Sequence, residues 1–223
     1  MEVKRSQSLE ECLRVSLFFA LEPSAYMMHR LCSVKSKLAT IAAAIAVVTA
    51  SCKGFTDVPA SLITNTDSST VYAINGAPLG APTALHAFSA QFVPATADFL
   101  FDVAFDLDDQ ARIHILPQRQ VASGLQPTHS VSLATVADTF EAVTAVPRGL
   151  TFRADTGMVI ERNQVVIAQI SDANACNFSL TGRTLFAKIV VKAINRDERT
   201  LQVKFTVDPN CGFRSFAPGV PKE

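Results

Sequence analysis

The chain of 223 residues has no tryptophan, only two tyrosines and four histidines, and no surplus of either charge, with 20 Lys and Arg against 20 Asp and Glu. A neutral chain offers no overall field to draw in nucleic acid or anionic lipid, which argues against a polyanion-binding role. Its nine glycines form no Gly-rich loop opening a helix, so no phosphate-binding element is present. His-Glu-x-x-His, Cys-x-x-Cys and Gly-x-Ser-x-Gly are all missing. After residue 51 the only histidines are His86, His114 and His129, none within five residues of another. Metal ligation and nucleophilic catalysis therefore have no local motif, and the sequence assigns no catalytic residue, metal or cofactor. A Ser/His/Asp set gathered from distant strands remains the hydrolase alternative, because such triads are defined by geometry and not by spacing.

Charged residues are also scarce, at 18% against roughly 25% in globular proteins. What replaces them is apolar. Hydrophobic residues make up 48% of the chain and phenylalanine alone contributes 15, enough for a substantial core.

One apolar run stands apart. Leu38 to Ala50, LATIAAAIAVVTA, carries no charge, and Met28 to Lys37 before it carries Arg30, Lys35 and Lys37 with no acid. This is the basic then apolar order of a signal peptide. At about 1.5 Å per residue the run spans roughly 20 Å as a helix, short of the roughly 30 Å hydrocarbon core. It ends on Ala50, Ser51 and Cys52, which resembles the lipobox of bacterial lipoproteins, with Thr49 where that family usually has Leu. The resemblance implies lipidation of Cys52, export across the inner membrane and attachment to the envelope through an N-terminal lipid, at the outer membrane or periplasmic face. Lys53, in place of Asp, resembles outer-membrane sorting in some Gram-negative bacteria. Secretory cleavage after Ala50, with Val48 and Ala50 as the small-residue pair, is the alternative.

Cysteine arithmetic bears on this choice. Cys12 and Cys32 fall in the segment that would be removed, and acylation of Cys52 leaves Cys176 and Cys211 as a pair with no odd thiol. Residues 1–26 contain Glu2, Glu10, Glu11 and Glu22, unlike a signal peptide, whereas a start at Met27 or Met28 gives one of ordinary length. The expected organisation is upstream sequence over 1–26, a helical signal peptide over 27–51, a polar tether over 52–69 and one domain over 70–223.

From Thr70 the apolar period is two. Alternating segments occur at Thr70–Ile74, Thr83–Val93, Asp98–Leu107, Arg112–Leu116, Val131–Val136, Phe140–Val146, Met158–Glu161, Val165–Ile170, Thr184–Asn195 and Thr200–Val207. Turn residues separate them. Roughly ten short strands without a sustained helical stripe predict an all-β domain, an antiparallel β-sandwich or partly open barrel. Four hairpins are expected: 98–107 with 112–116, 131–136 with 140–146, 158–161 with 165–170, and 184–195 with 200–207. In the last of these, antiparallel pairing brings Cys176 and Cys211 close enough for a disulfide. In Asp98–Leu107 the pattern puts Phe99, Phe101, Val103, Phe105 and Leu107 inside and Asp98, Asp102 and Asp106 in solvent.

Asp102, Asp106, Asp108 and Asp109 suggest calcium, but a loop opening at Asp106 has Ala111 and Pro117 where an EF-hand needs Gly and Glu. Solvent-facing acids are the simpler reading. Lys188, Lys192 and Lys204 are expected to be exposed on the terminal hairpin, where lysines solubilise a strand or guard an edge. Without interleaved aromatics they do not make a nucleic-acid surface.

The segments Phe101–Leu107 and Leu185–Ile194 resemble strand segments of secreted haem-binding lipoproteins of the HmuY type, with Phe101 in place of that family's tryptophan and Phe186 in place of its tyrosine. The resemblance implies a haem or other small-ligand carrier, a reading that substitution of His86, His114, His129 or Met158 would test. The leading expectation needs only the anchor, the tether and the β-body: an envelope lipoprotein whose non-catalytic domain has a binding or structural role, its protein or small-molecule partner not written in the sequence.

Overall fold

The computed structural model describes residues 59–96, 99–122, 129–172, 176 and 182–221. These residues fall in one compact unit, Gly54–Glu223. The signal segment and Cys52 lie outside the described residues.

Among the described residues there are eleven strands and one helical turn: β1 (Asn65–Tyr72), β2 (Ala84–His86), β3 (Gln91–Val93), β4 (Val103–Leu107), β5 (Ile113–Pro117), α1 (Gln118–Val121), β6 (Ser130–Val136), β7 (Arg153–Ala154), β8 (Met158–Ile160), β9 (Val165–Ser171), β10 (Thr184–Asn195) and β11 (Thr200–Asp208). They form a six-stranded sheet in the order β1-β11-β10-β9-β6-β7 and a five-stranded sheet in the order β3-β2-β4-β5-β8, with every pairing antiparallel. The fold is a β-sandwich and not a closed barrel.

The core follows from the period of two. Leu201, Val203, Phe205 and Val207 of β11 and Leu185, Ala187, Ile189 and Val191 of β10 face Leu85, Val103, Phe105, Ile113 and Ile115 of the other sheet. Phe92 joins the layers, packing edge-on against Phe105 at 6.3 Å and Phe205 at 5.1 Å between ring centroids. Such pairs add about 0.5 to 1.5 kcal/mol beyond their burial.

The six-stranded sheet also buries its outer face. Phe140, Val143 and Val146 of the 137–152 loop, with Phe216, cover Val165, Ile167, Phe186 and Val190. Lys188 lies beneath this cover at 4% exposure, contrary to the solvent position expected. Its ammonium donates to the carbonyls of Phe140 (2.7 Å) and Val143 (2.8 Å) and sits 4.1 Å from the centre of the Phe140 ring. Burial pushes its pKa down, and Glu141 opposes that shift. Lysine works here because a charge under an apolar cover needs acceptors, and the loop supplies two.

Two expected hairpins are corrected. Residues 140–146 form a turn over the sheet, with one isolated bridge from Ala145 to Ser215, and β6 pairs instead with β9. Met158–Ile160 pairs with β5 in one sheet while Val165–Ser171 lies in the other, so the short connection between them crosses the sandwich. The hairpins β4–β5 and β10–β11 are present as expected. β1 begins at Asn65, within the stretch expected as tether, because its residues 65–70 are exposed polar groups on an edge strand and give no apolar period.

Strand direction defines two ends. The upper end carries the turns at 108–112, 161–164 and 196–199. The lower end carries the 87–90 turn, His129, the termini of β9 and β11, and the segment at Ser61 by which the chain enters. Cys176 and Cys211 form a disulfide there, with Cα atoms 5.8 Å apart.

Candidate functional site

The upper end holds a concave surface. A cleft of about 660 Å³ runs between the β8–β9 turn and the β4–β5 turn. Ile113, Val159, Ile160 and Ile194 make its apolar lining, and Arg112, Arg162, Arg196, Glu161 and Gln164 its polar one. Two further hollows, of about 460 and 380 Å³, adjoin it around Asp108 and Arg199. Shared walls at Ala111, Arg196 and Arg199 make these one continuous furrow across the loop tips.

Local chemistry fixes this surface. Asp108 Oδ1 accepts the Gln110 and Arg112 backbone N–H groups at 3.0 and 2.8 Å, closing the β4–β5 turn, while Oδ2 lies 2.6 Å from Arg112 Nε and 3.1 Å from His114 Nε2. Desolvation would raise the Asp108 pKa, but the hydrogen bonds from Arg112 and His114 outweigh it and hold the carboxyl well below its usual range. Asp106 accepts the Asn75 backbone N–H at 3.2 Å and its amide at 2.5 Å. Arg199 bridges the sheets by donating to the carbonyls of Asn75 (2.6 Å) and Leu107. Arg162 and Arg196, in contrast, have no ion-pair partner among the described residues.

Ala111, Asn163 and Arg199 adopt positive φ of 58°, 65° and 51°, one in each of the three upper turns. For Ala and Arg this left-handed conformation is uncommon and costs about 1 to 2 kcal/mol. Ala90 and Asp155, away from the furrow, adopt it too, at 53° and 47°, so the conformation belongs to the tight turns of both ends.

Of the four acids grouped in sequence, Asp106, Asp108 and Asp109 stay together in the upper furrow and only Asp102 is elsewhere. Asp102 is buried at the lower end, at 3% exposure and not in solvent. Its Oδ2 accepts the Ala87 backbone N–H at 2.5 Å, and its Oδ1 lies 3.0 Å from His129 Nε2. The other ring nitrogen of His129 lies 3.6 Å from Asp172 Oδ2. Burial works against the imidazolium, but the two carboxylates outweigh it and raise the His129 pKa above its ordinary value. Nothing in the sequence pointed to this cluster, because its members are 27 and 43 residues apart.

The remaining candidates have separate partners. His86 Nδ1 lies 2.7 Å from Ser89 Oγ, His114 alternates with buried Ile113 and Ile115 and contacts Asp108, and Met158 packs against the inter-sheet core. The segments that resemble haem-binding lipoproteins fall on β4 and β10, in different sheets. Phe99, expected inside, is exposed, and Phe101 packs in a small cluster with Ala84 and Ala104, because the strand starts only at Val103. Among the described residues no group of three or more His, Cys, Asp or Glu is arranged to hold a metal ion, and no helix is long and apolar enough to cross a membrane. No protein-family model matches the chain, and no curated protein or solved structure is significantly similar to it.

Proposed function

We propose that this chain is a membrane-anchored envelope lipoprotein whose β-sandwich is a non-catalytic binding module, holding its partner in the furrow at the upper end. The observation that carries the reading is the polarity of the sandwich. The chain enters at the lower end through Ser61 and Leu62, both bound to Asn210, and the furrow lies at the other end. The twelve residues of β10, at about 3.3 Å each, separate the two by roughly 40 Å. A lipid on Cys52 would therefore present the loop tips away from the bilayer, and loops on a rigid scaffold are where recognition commonly sits. Two arginines without an ion-pair partner among the described residues, beside an apolar lining, suit an anionic group next to apolar surface, because guanidinium groups pair with carboxylates and phosphates in a bidentate fork.

The anchor half predicts the intact mass of membrane-extracted protein. The mature chain should begin at residue 52 and carry a diacylglyceryl adduct. An unmodified chain beginning at Ser51 contradicts the reading.

A further inference from the structure

Eight large hydrophobic side chains are exposed among the described residues; four of them, Leu62, Ile63, Phe88 and Val220, lie at the lower end, and Phe99 and Leu100 lie on the segment that leads down to Asp102, all six at 43 to 60% exposure. Leu79 and Val159 are the two at the upper end. Single exposed apolar residues are ordinary on a protein surface, whereas a concentration on one end marks a contact surface.

These side chains are held outward by the fold. Asn210 Oδ1 accepts the Ser61 and Leu62 backbone N–H groups at 3.0 Å each, and its amide donates to the Leu62 carbonyl at 2.8 Å. Thr64 donates its N–H to the Gly219 carbonyl at 2.9 Å, which sets Ile63 beside Val220. Phe88 sits in the β2–β3 turn, which the Ala90 N–H closes by donating to the Ala87 carbonyl at 3.0 Å. The Asp102 carboxylate fixes that turn through the Ala87 N–H. Phe99 donates its N–H to the Thr96 carbonyl at 3.3 Å.

We infer that the lower end is a membrane-contact surface, in which Phe88, Phe99 and Leu100, with Leu62, Ile63 and Val220, rest in the interfacial region of a lipid bilayer. The inference rests on the anchor reading above and adds the orientation of the domain. What commits it to lipid is the length of chain outside the described structure and where that chain ends. Pro59, at the lower end, is seven residues from Cys52, and seven extended residues reach at most about 25 Å. An acylated Cys52 therefore confines this end, and not the furrow, to the bilayer surface. Residues 52–223 carry 14 Lys and Arg against 16 Asp and Glu, so net charge supplies no attraction to an anionic surface and apolar side chains would have to supply it.

The absence of tryptophan provides the test. Full-length protein carrying Phe88→Trp, Phe99→Trp or Leu79→Trp has a single indole, and each is reconstituted into vesicles of phosphatidylethanolamine and phosphatidylglycerol, with and without acyl-brominated phosphatidylcholine. The expected result is that all three float with the vesicles, that the indoles at 88 and 99 emit at shorter wavelength and lose intensity to the brominated lipid, and that the indole at 79 does neither. Flotation with all three indoles solvent-like would overturn the contact surface and leave the anchor standing. Blue-shifted emission without quenching at 88 and 99 would assign the surface to protein, either a second copy or the chain's own N-terminal segment, and would also overturn it. Quenching at all three positions would contradict the orientation. A chain that does not float would overturn both readings.

Discussion

His129→Ala should destabilise the domain by about 3 to 5 kcal/mol, the cost of leaving a buried carboxylate without its counter-charge. Asp102 ends the approach to β4 in one sheet, while His129 precedes β6 and Asp172 follows β9 in the other, so the group clasps the two sheets at their lower end. Asp102 is further tied in through its backbone carbonyl, which accepts the N–H of Gln118 at 2.9 Å. Because the folded-state pKa of His129 is raised, its contribution is fully present below the ordinary value of about 6.5 and is lost as pH rises through the folded-state value. Urea unfolding should therefore give a stability that falls as pH increases above about 6.5, and His129→Ala should flatten that dependence. A loss below about 1 kcal/mol, typical of a surface change, or the same pH profile in both proteins, would contradict the assignment.

Replacing Cys176 and Cys211 together by alanine should cost a comparable amount. The bridge closes a separation of 35 residues, worth about 3 to 4 kcal/mol in the chain-entropy account. Its position adds a specific consequence. Cys211 follows Asn210, the residue that binds Ser61 and Leu62, and Gly212 donates its N–H to the Thr184 carbonyl at 2.8 Å. Opening the bridge should accordingly loosen the entering segment first, seen as faster amide exchange at Leu62 before the core strands respond. Two alkylatable thiols in natively folded, oxidised protein, or an unchanged unfolding midpoint in the double variant, would contradict it.

The parts of the fold that were legible share one property: a strand with one buried and one solvated face. β11 alternates Leu201, Val203, Phe205 and Val207 with Gln202, Lys204 and Thr206, and both its pairing with β10 and its inner face follow from that pattern. Where both faces are covered, the pattern misleads. Lys188 occupies a solvent position in the period of β10 but lies under the 137–152 loop, and that loop is apolar because it packs on a sheet, not because it is a strand. β1 was missed at its start for the opposite reason, since an edge strand with exposed residues 65–70 has nothing to alternate. A short turn likewise cannot report whether its flanking strands pair, and the β8–β9 connection crosses between sheets. Asp102 reads as one of four solvent acids until tertiary structure brings His129 to it. The furrow was out of reach for the same reason, because Arg162, Arg196 and Val159 meet only when two sheets stack.

The central claim, recognition at the upper end, is tested most directly by crosslinking in the native membrane. A photoreactive amino acid in place of Val159, inside the furrow, is compared with one in place of Ser68, on the exposed edge of β1. The account predicts a discrete adduct from position 159 that disappears when Arg162→Glu and Arg196→Glu are introduced together, and no such adduct from position 68. Adducts of equal yield from both positions, or an adduct at 159 that persists after charge reversal, would contradict it.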